Sequence, residues 1–431
     1  MASVVARTFS VDVTPPIGGY MCGGLHTEPA IGVESWLSLR GLILDQNNRR
    51  YILASIEYTY LVGRSYARMI NTLSTAGQTS PDCVTLHAVH THDAPLINEE
   101  AHTYVEKTVP GVHNEAYFSD VLKRTGEAID KELQKKGTEV GGTCFASAAV
   151  QKFASSRRIL DENDQCQVRW SVCRDPAVRN APEGVIDPLL DQIIFYDTAG
   201  EPFTCLSFYA CHPQVSDGRR LWSGDTVGVA LDLFEQTYPD VFPIYFTGCA
   251  GDITAGKYTT LNRPRNRLLL GLRLFDGMAA AFEKARPEPL HRIDWRDHQF
   301  DMPLCETQYE IEHYRAILDD AEATSNVKYK AAIKYHKLKE QMDTYPYRLS
   351  RLSLDDKHIL FLPAEMCIPY QLFAKAQCRG ELAVAAYGDS FLNYIATDEA
   401  FNQGGYEVNP AWTEVGKGNE ARIMEAIKQI L

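Results

Sequence analysis

Short apolar runs separated by polar turns recur along most of the chain, and they set its predicted architecture. Leu39-Arg40-Gly41-Leu42-Ile43-Leu44-Asp45 and Tyr51-Ile52-Leu53-Ala54-Ser55-Ile56-Glu57 flank the turn Gln46-Asn47-Asn48-Arg49, the pattern of a β-hairpin. The runs at 190–196 and 203–210 repeat it around Thr198-Ala199-Gly200-Glu201. Cys83 to Leu86, Phe242 to Phe246, Ile359 to Leu362 and Ala383 to Tyr387 read as further strands, each ending in polar or glycine-rich residues. Helical spacing covers 63–75, 263–285, the tail from 416 to 431, and 114–136, where Tyr117, Val121, Leu122, Ala128, Ile129 and Leu133 recur amid charges. The charge-rich stretch 306–342 predicts a solvated helical hairpin without chemistry of its own. With no linker, low-complexity segment or short repeat, the expected fold class is α/β: a mixed β-sheet core covered by helices, in a single catalytic domain over 1–431, with a helical insertion at about 306–345.

Polar residues gather where the strands end. Glu57, His90 and His92 of Leu86-His87-Ala88-Val89-His90-Thr91-His92-Asp93-Ala94-Pro95, His212 of Cys211-His212-Pro213, Asp252 and Thr254, and Glu365 of Pro363-Ala364-Glu365 all follow apolar runs. Ligands of open α/β sheets bind beyond the strands' carboxyl ends. Strand periodicity puts His90 and His92 on one face. Both can then ligate a metal, or one can ligate while the other meets substrate as acid, base or donor. A catalytic zinc takes three nitrogen or carboxylate ligands from distant parts of a chain and keeps a position open, and His90, His212 and Glu365 would supply that set. The alternatives are solvated histidines at a strand end, a backbone-bonded His212, and a Glu365 that serves a helix N-terminus. Asp225 and Asp252 read as groups that orient ligands or close turns.

Charge narrows the partners. Lysine and arginine number 43 against 56 acidic residues, a net charge of −13, and no basic tract offsets it. Nucleic acid and anionic membranes are disfavoured as partners, which leaves a small molecule. No apolar run is long enough for a signal-peptide core or a membrane span, so the expected location is cytoplasmic. The 11 cysteines include no C-x-x-C pair, which argues against zinc knuckles and a disulfide framework.

Six motifs, Asp12-Val13-Thr14-Pro15-Pro16, His90-Thr91-His92-Asp93-Ala94-Pro95, Ala210-Cys211-His212-Pro213, Ser223-Gly224-Asp225, Gly251-Asp252-Ile253-Thr254 and Pro363-Ala364-Glu365, resemble in order and rough spacing those of the neutral/alkaline ceramidase amino-terminal domain family. The resemblance implies a zinc-dependent amidase whose metal is held by His90, His212, Glu365 and Tyr394. It places His92 beside the reacting water and Tyr406, twelve residues after Tyr394, against substrate. A substrate-contacting arginine falls at Arg157-Arg158, with Arg158 the choice, and the family's catalytic serine position is Thr254, which keeps a hydroxyl. Ceramidases of this type add an immunoglobulin-like domain and usually an export signal, neither of which is expected here. The implied activity is hydrolysis of an amide in a small, soluble substrate rather than ceramide. Ester or lactone hydrolysis, a lyase reaction on the same scaffold, and a non-catalytic ligand-binding relative are the alternatives.

Overall fold

Asn47 and Asn48 close the first hairpin at φ of 52° and 61°, the left-handed pair that a two-residue turn requires if it is to follow the twist of its strands. The computed structural model describes residues 3–21, 23, 27–216, 218–304, 310–340, 344–388 and 393–431. Its main sheet comprises Val4–Asp12 (β1), Ser38–Gln46 (β2), Arg49–Ile56 (β3), Val84–Ala88 (β4), Thr138–Ala149 (β5), Leu189–Asp197 (β6), Pro202–Tyr209 (β7), Phe242–Thr247 (β8), Ile293–Pro303 (β9), Thr344–Leu354 (β10), Lys357–Pro363 (β11) and Glu381–Gly388 (β12). Their spatial order is β8-β7-β6-β5-β1-β2-β3-β4-β12-β11-β10-β9. The sheet is mixed, as expected: β3 with β4, β7 with β8 and β11 with β12 pair in parallel, and the other neighbours are antiparallel.

Helices Gly63–Ala76 (α1), Glu99–Val105 (α2), Glu115–Leu133 (α3), Asp225–Thr237 (α4) and Arg263–Phe282 (α5) cover the outer faces, burying Leu73, Phe118, Phe234 and Leu274 in one core. A second core is made by strands. Leu206 and Phe208 of β7 with Ile244 and Phe246 of β8 meet Leu352 of β10, Phe361 of β11 and Ala385 of β12. These strands lie at opposite ends of the spatial order, so the sheet coils until its two wings pack face to face, with Phe246 and Phe361 6.3 Å apart. Burial on both faces explains why the strands read as nearly unbroken apolar runs. A fully buried phenylalanine of this kind contributes about 1.5–3 kcal/mol.

His87 belongs to this core. Its Nδ1 lies 2.7 Å from Ala386 O and its Nε2 2.7 Å from Thr85 Oγ1, so the first histidine of the cluster is structural. The described cysteines are all free and mostly buried. No helix among the described residues is long and apolar enough to cross a membrane.

The expected helical hairpin has unequal halves. Ile311–Asp319 (α6) has no buried residue, whereas Ser325–Lys339 (α7) buries Tyr329, Ala331, Ala332 and Ile333. Residues 306–309 and 341–343, which that expectation also covered, lie outside the described residues. Helix α7 packs on α2, where the Nε2 of buried His102 lies 3.3 Å from Tyr329 Oη. Burial, helped by His113, pushes His102 down to about 3. Below pH 6.5 the unfolded chain therefore takes up a proton that the folded chain refuses, and stability falls as pH drops from 6.5 toward 3, by a few kcal/mol for this one group. His102→Asn should flatten the Tm-against-pH slope in that window. An unchanged slope would mean that the folded protein protonates His102.

Candidate metal centre

β4 ends at Ala88, and the chain then turns. Val89 N–H donates to Ile56 O and His90 N–H to Tyr58 O, with His90 at φ 70°. His90 and His92 do come together, their rings 4.9 Å apart, but through this left-handed turn and not through strand alternation. His212 follows β7, and its Nδ1 lies 2.6 Å from Ala250 O. His90 Nδ1 lies 3.1 Å from Thr59 O. Carbonyl oxygens only accept, so each Nδ1 carries the proton and each Nε2 presents a lone pair.

Both lone pairs aim at one oxygen. Glu365 Oε2 is 3.2 Å from His212 Nε2 and 3.4 Å from His90 Nε2. Burial, reinforced by Arg157, pushes His212 down to about 4, so at neutral pH its ring brings no second proton to this contact. Three acceptors thus converge at a point that suits a cation, and the Arg157 guanidinium stands at its edge with Nη2 3.4 Å from His212 Nε2. A tetrahedral zinc with arms of about 2.0–2.1 Å has ligand-to-ligand edges of about 3.3–3.4 Å, which matches the two spacings.

His92 differs. Neither of its ring nitrogens has a hydrogen-bond partner, although both are buried, and burial with His90 and His212 nearby lowers its pKa well below the usual value. No carbonyl fixes its tautomer.

The other side of the centre is a two-residue parallel pairing of Glu365–Met366 with Tyr394–Ile395, which sets Glu365 opposite Tyr394. Ala364 (φ 62°), Tyr387 (φ 63°) and Asn393 (φ 49°) join His90 in the left-handed region. Such positions cost of order 1–3 kcal/mol each and cluster at functional sites. Asp389 and Ser390, which follow β12 in the sequence, lie outside the described residues. Gly251 admits this segment, since a Cβ there would lie 2.6 Å from Glu365 O. Asp252 Oδ1 accepts from Ile368 N–H at 2.7 Å, and burial raises its carboxyl to about 6. The buried Thr254 Oγ1 has no hydrogen-bond partner.

The arginine at the centre is Arg157 and not Arg158, the choice from sequence. Arg157 is 4 % exposed, donates from Nη1 to Tyr394 Oη at 3.1 Å, and lies over the Tyr394 and Tyr406 rings at 5.6 and 5.5 Å. Arg158 turns the other way, donating to Glu407 Oε2 and Gly404 O, each at 2.8 Å. A Cβ on Gly405 would come within 2.7 Å of its Nη1. Tyr406 stands 5.5 Å from Tyr394. The sequence did not single out Tyr387, whose ring stacks on His90 at 4.4 Å, or the fully buried Glu407. Tyr387 ends an apolar run and looks like any core aromatic.

Fold and site together define an α/β protein with a buried, metal-competent centre where strand ends meet. No family model and no curated protein matches the sequence. Solved structures are similar over the whole chain, two ceramidases among them. A ceramidase complexed with C2 has a TM-score of 0.74 at 16% identity, with 100% of this chain and 75% of that chain covered. A neutral ceramidase from Pseudomonas aeruginosa has a TM-score of 0.74 at 15% identity, with 100% and 74% covered. The chain has the fold of that part of the ceramidases.

Proposed function

We propose that the protein is a zinc-dependent hydrolase that cleaves an amide bond in a small, water-soluble substrate. The convergence of His90 Nε2, His212 Nε2 and Glu365 Oε2 carries this reading. These residues would hold the ion, with Tyr394 as a fourth ligand or as a donor beside it. Zinc, when bound, supplies a nucleophile at neutral pH by lowering the pKa of water to about 7 and polarises a carbonyl. His92, neutral and free of backbone anchors, takes a proton from the attacking water and returns one to the leaving nitrogen. Tyr406 and Arg157 face the developing oxyanion, and Thr254 Oγ1 is open to a substrate polar group. The amide preference is supported by the fold shared with ceramidases. A set of His90, His92 and His212 is the second arrangement, favoured by ring nitrogens that all lie within 4.8 Å of one another.

The test is metal content together with turnover. About one zinc per chain is expected, with activity on N-acyl compounds. A short polar N-acyl compound should exceed long-chain ceramide in detergent in kcat/KM, since a protein of net charge −13 has little to draw it to an anionic bilayer. A preference for ceramide would overturn the soluble-substrate reading, and hydrolysis confined to esters the amide one.

A further inference from the structure

We infer that the protein is a two-fold symmetric dimer in which α5 packs antiparallel on the α5 of a second copy. One face of this helix is inside the fold, with Leu270, Leu274, Met278 and Ala281 buried. Leu268, Leu269 and Leu272 are 58 %, 37 % and 45 % exposed. At about 3.6 residues per turn these three leucines, together with Arg265 and Asp276, occupy one stripe roughly 100° wide, centred opposite the buried face. Leu261, just ahead of the helix and 69 % exposed, lies at its amino-terminal end. A helix face turned to water is ordinarily polar. Single exposed leucines need no reason, but Leu272 neighbours both Leu268 and Leu269 at i, i+4 and i, i+3 spacing, which makes a contiguous apolar patch of the kind that marks an association site.

The charges on the stripe select what covers it. Arg265 and Asp276 are both exposed, stand one at each end of the leucines, and have no ion-pair partner among the described residues. The midpoint between them along the helix is also the midpoint between Leu269 and Leu272. A two-fold axis through that point, perpendicular to the helix, sets Leu269 of each copy on Leu272 of the other. In the same register Arg265 of each copy meets Asp276 of the other, twice over. Leu261 falls opposite Ala280, which is half-buried and small enough to receive it. A surface that complements itself when reversed is what a two-fold interface requires, with an apolar middle and polar ends. Parallel pairing of the two helices would set like charges side by side.

Analytical ultracentrifugation of the full chain tests this. The sedimenting mass should be that of two chains, with a Kd of about 10 μM or tighter. Leu272→Glu should give a monomer whose circular dichroism and melting temperature match the parent's, because the substituted side chain already stands in water and takes no part in the metal centre. Arg265→Glu and Asp276→Arg each oppose like charges at two places in the dimer, so each should weaken association by about tenfold. An equimolar mixture of these two variants should regain the parental affinity, since every reversed charge then meets its complement in the mixed dimer. A parent that stays monomeric at about 100 μM, or a dimer that Leu272→Glu leaves intact, would overturn the inference. So would a mixture no tighter than either variant alone, because the antiparallel register predicts the rescue.

Discussion

His90→Ala, His212→Ala and Glu365→Ala should each lose both the metal and turnover. Each variant removes one of three acceptors that converge with spacings of 3.2 and 3.4 Å, and a two-ligand remnant has no closed geometry to hold the ion. Loss of a group that merely orients a ligand costs 10- to 100-fold in metal affinity, so loss of a ligand itself should cost more. Metal analysis after dialysis should fall from about one ion per chain to near zero. A variant that keeps its full metal content would take that residue out of the ligand set.

His92→Ala should keep the metal and lose kcat by 10²- to 10⁴-fold, the usual contribution of a general acid or base. The expectation rests on a contrast within one turn of chain. His90 has its Nδ1 pinned to Thr59 O and its Nε2 aimed at Glu365, whereas neither His92 nitrogen has a partner. Ligand histidines are oriented from behind, and a proton carrier needs both nitrogens available in turn. Loss of metal in this variant would instead establish the three-histidine arrangement.

Much of the centre was legible because it sits where apolar runs stop. His90, His212 and Glu365 each follow a strand, and a coiled sheet brings those ends together. The arginine was misread for a simple reason: in Arg157-Arg158 adjacent side chains point opposite ways, and only the pairing of Ser155–Ser156 with Ile253–Thr254 decides which one faces inward. Strand alternation also gave the wrong cause for the meeting of His90 and His92, since a left-handed residue cannot be read from a histidine. Helix α7 looked solvated because its lysines suggest water, yet Lys334 and Lys337 are spent on Glu414, a pairing far apart in sequence. The pairing of the two wings in one strand-built core was hidden for the same reason, as each run fixes its own burial but not its partner.

The coiled sheet has a consequence for how the protein is made. Translation delivers β1 to β4 first, and these become the middle of the sheet, with one wing following in β5 to β8 and the other in β9 to β12. His90 is supplied by the middle, His212 by the first wing, and Glu365 and Tyr394 by the second, so contacts at long sequence separation must close before any of them can cooperate. A nascent chain that stops short of Glu365 holds two imidazoles without their carboxylate, and it lacks β12, the strand that joins the second wing to β4. Neither half is a smaller working version of the whole. The centre is complete only when the second wing is in place.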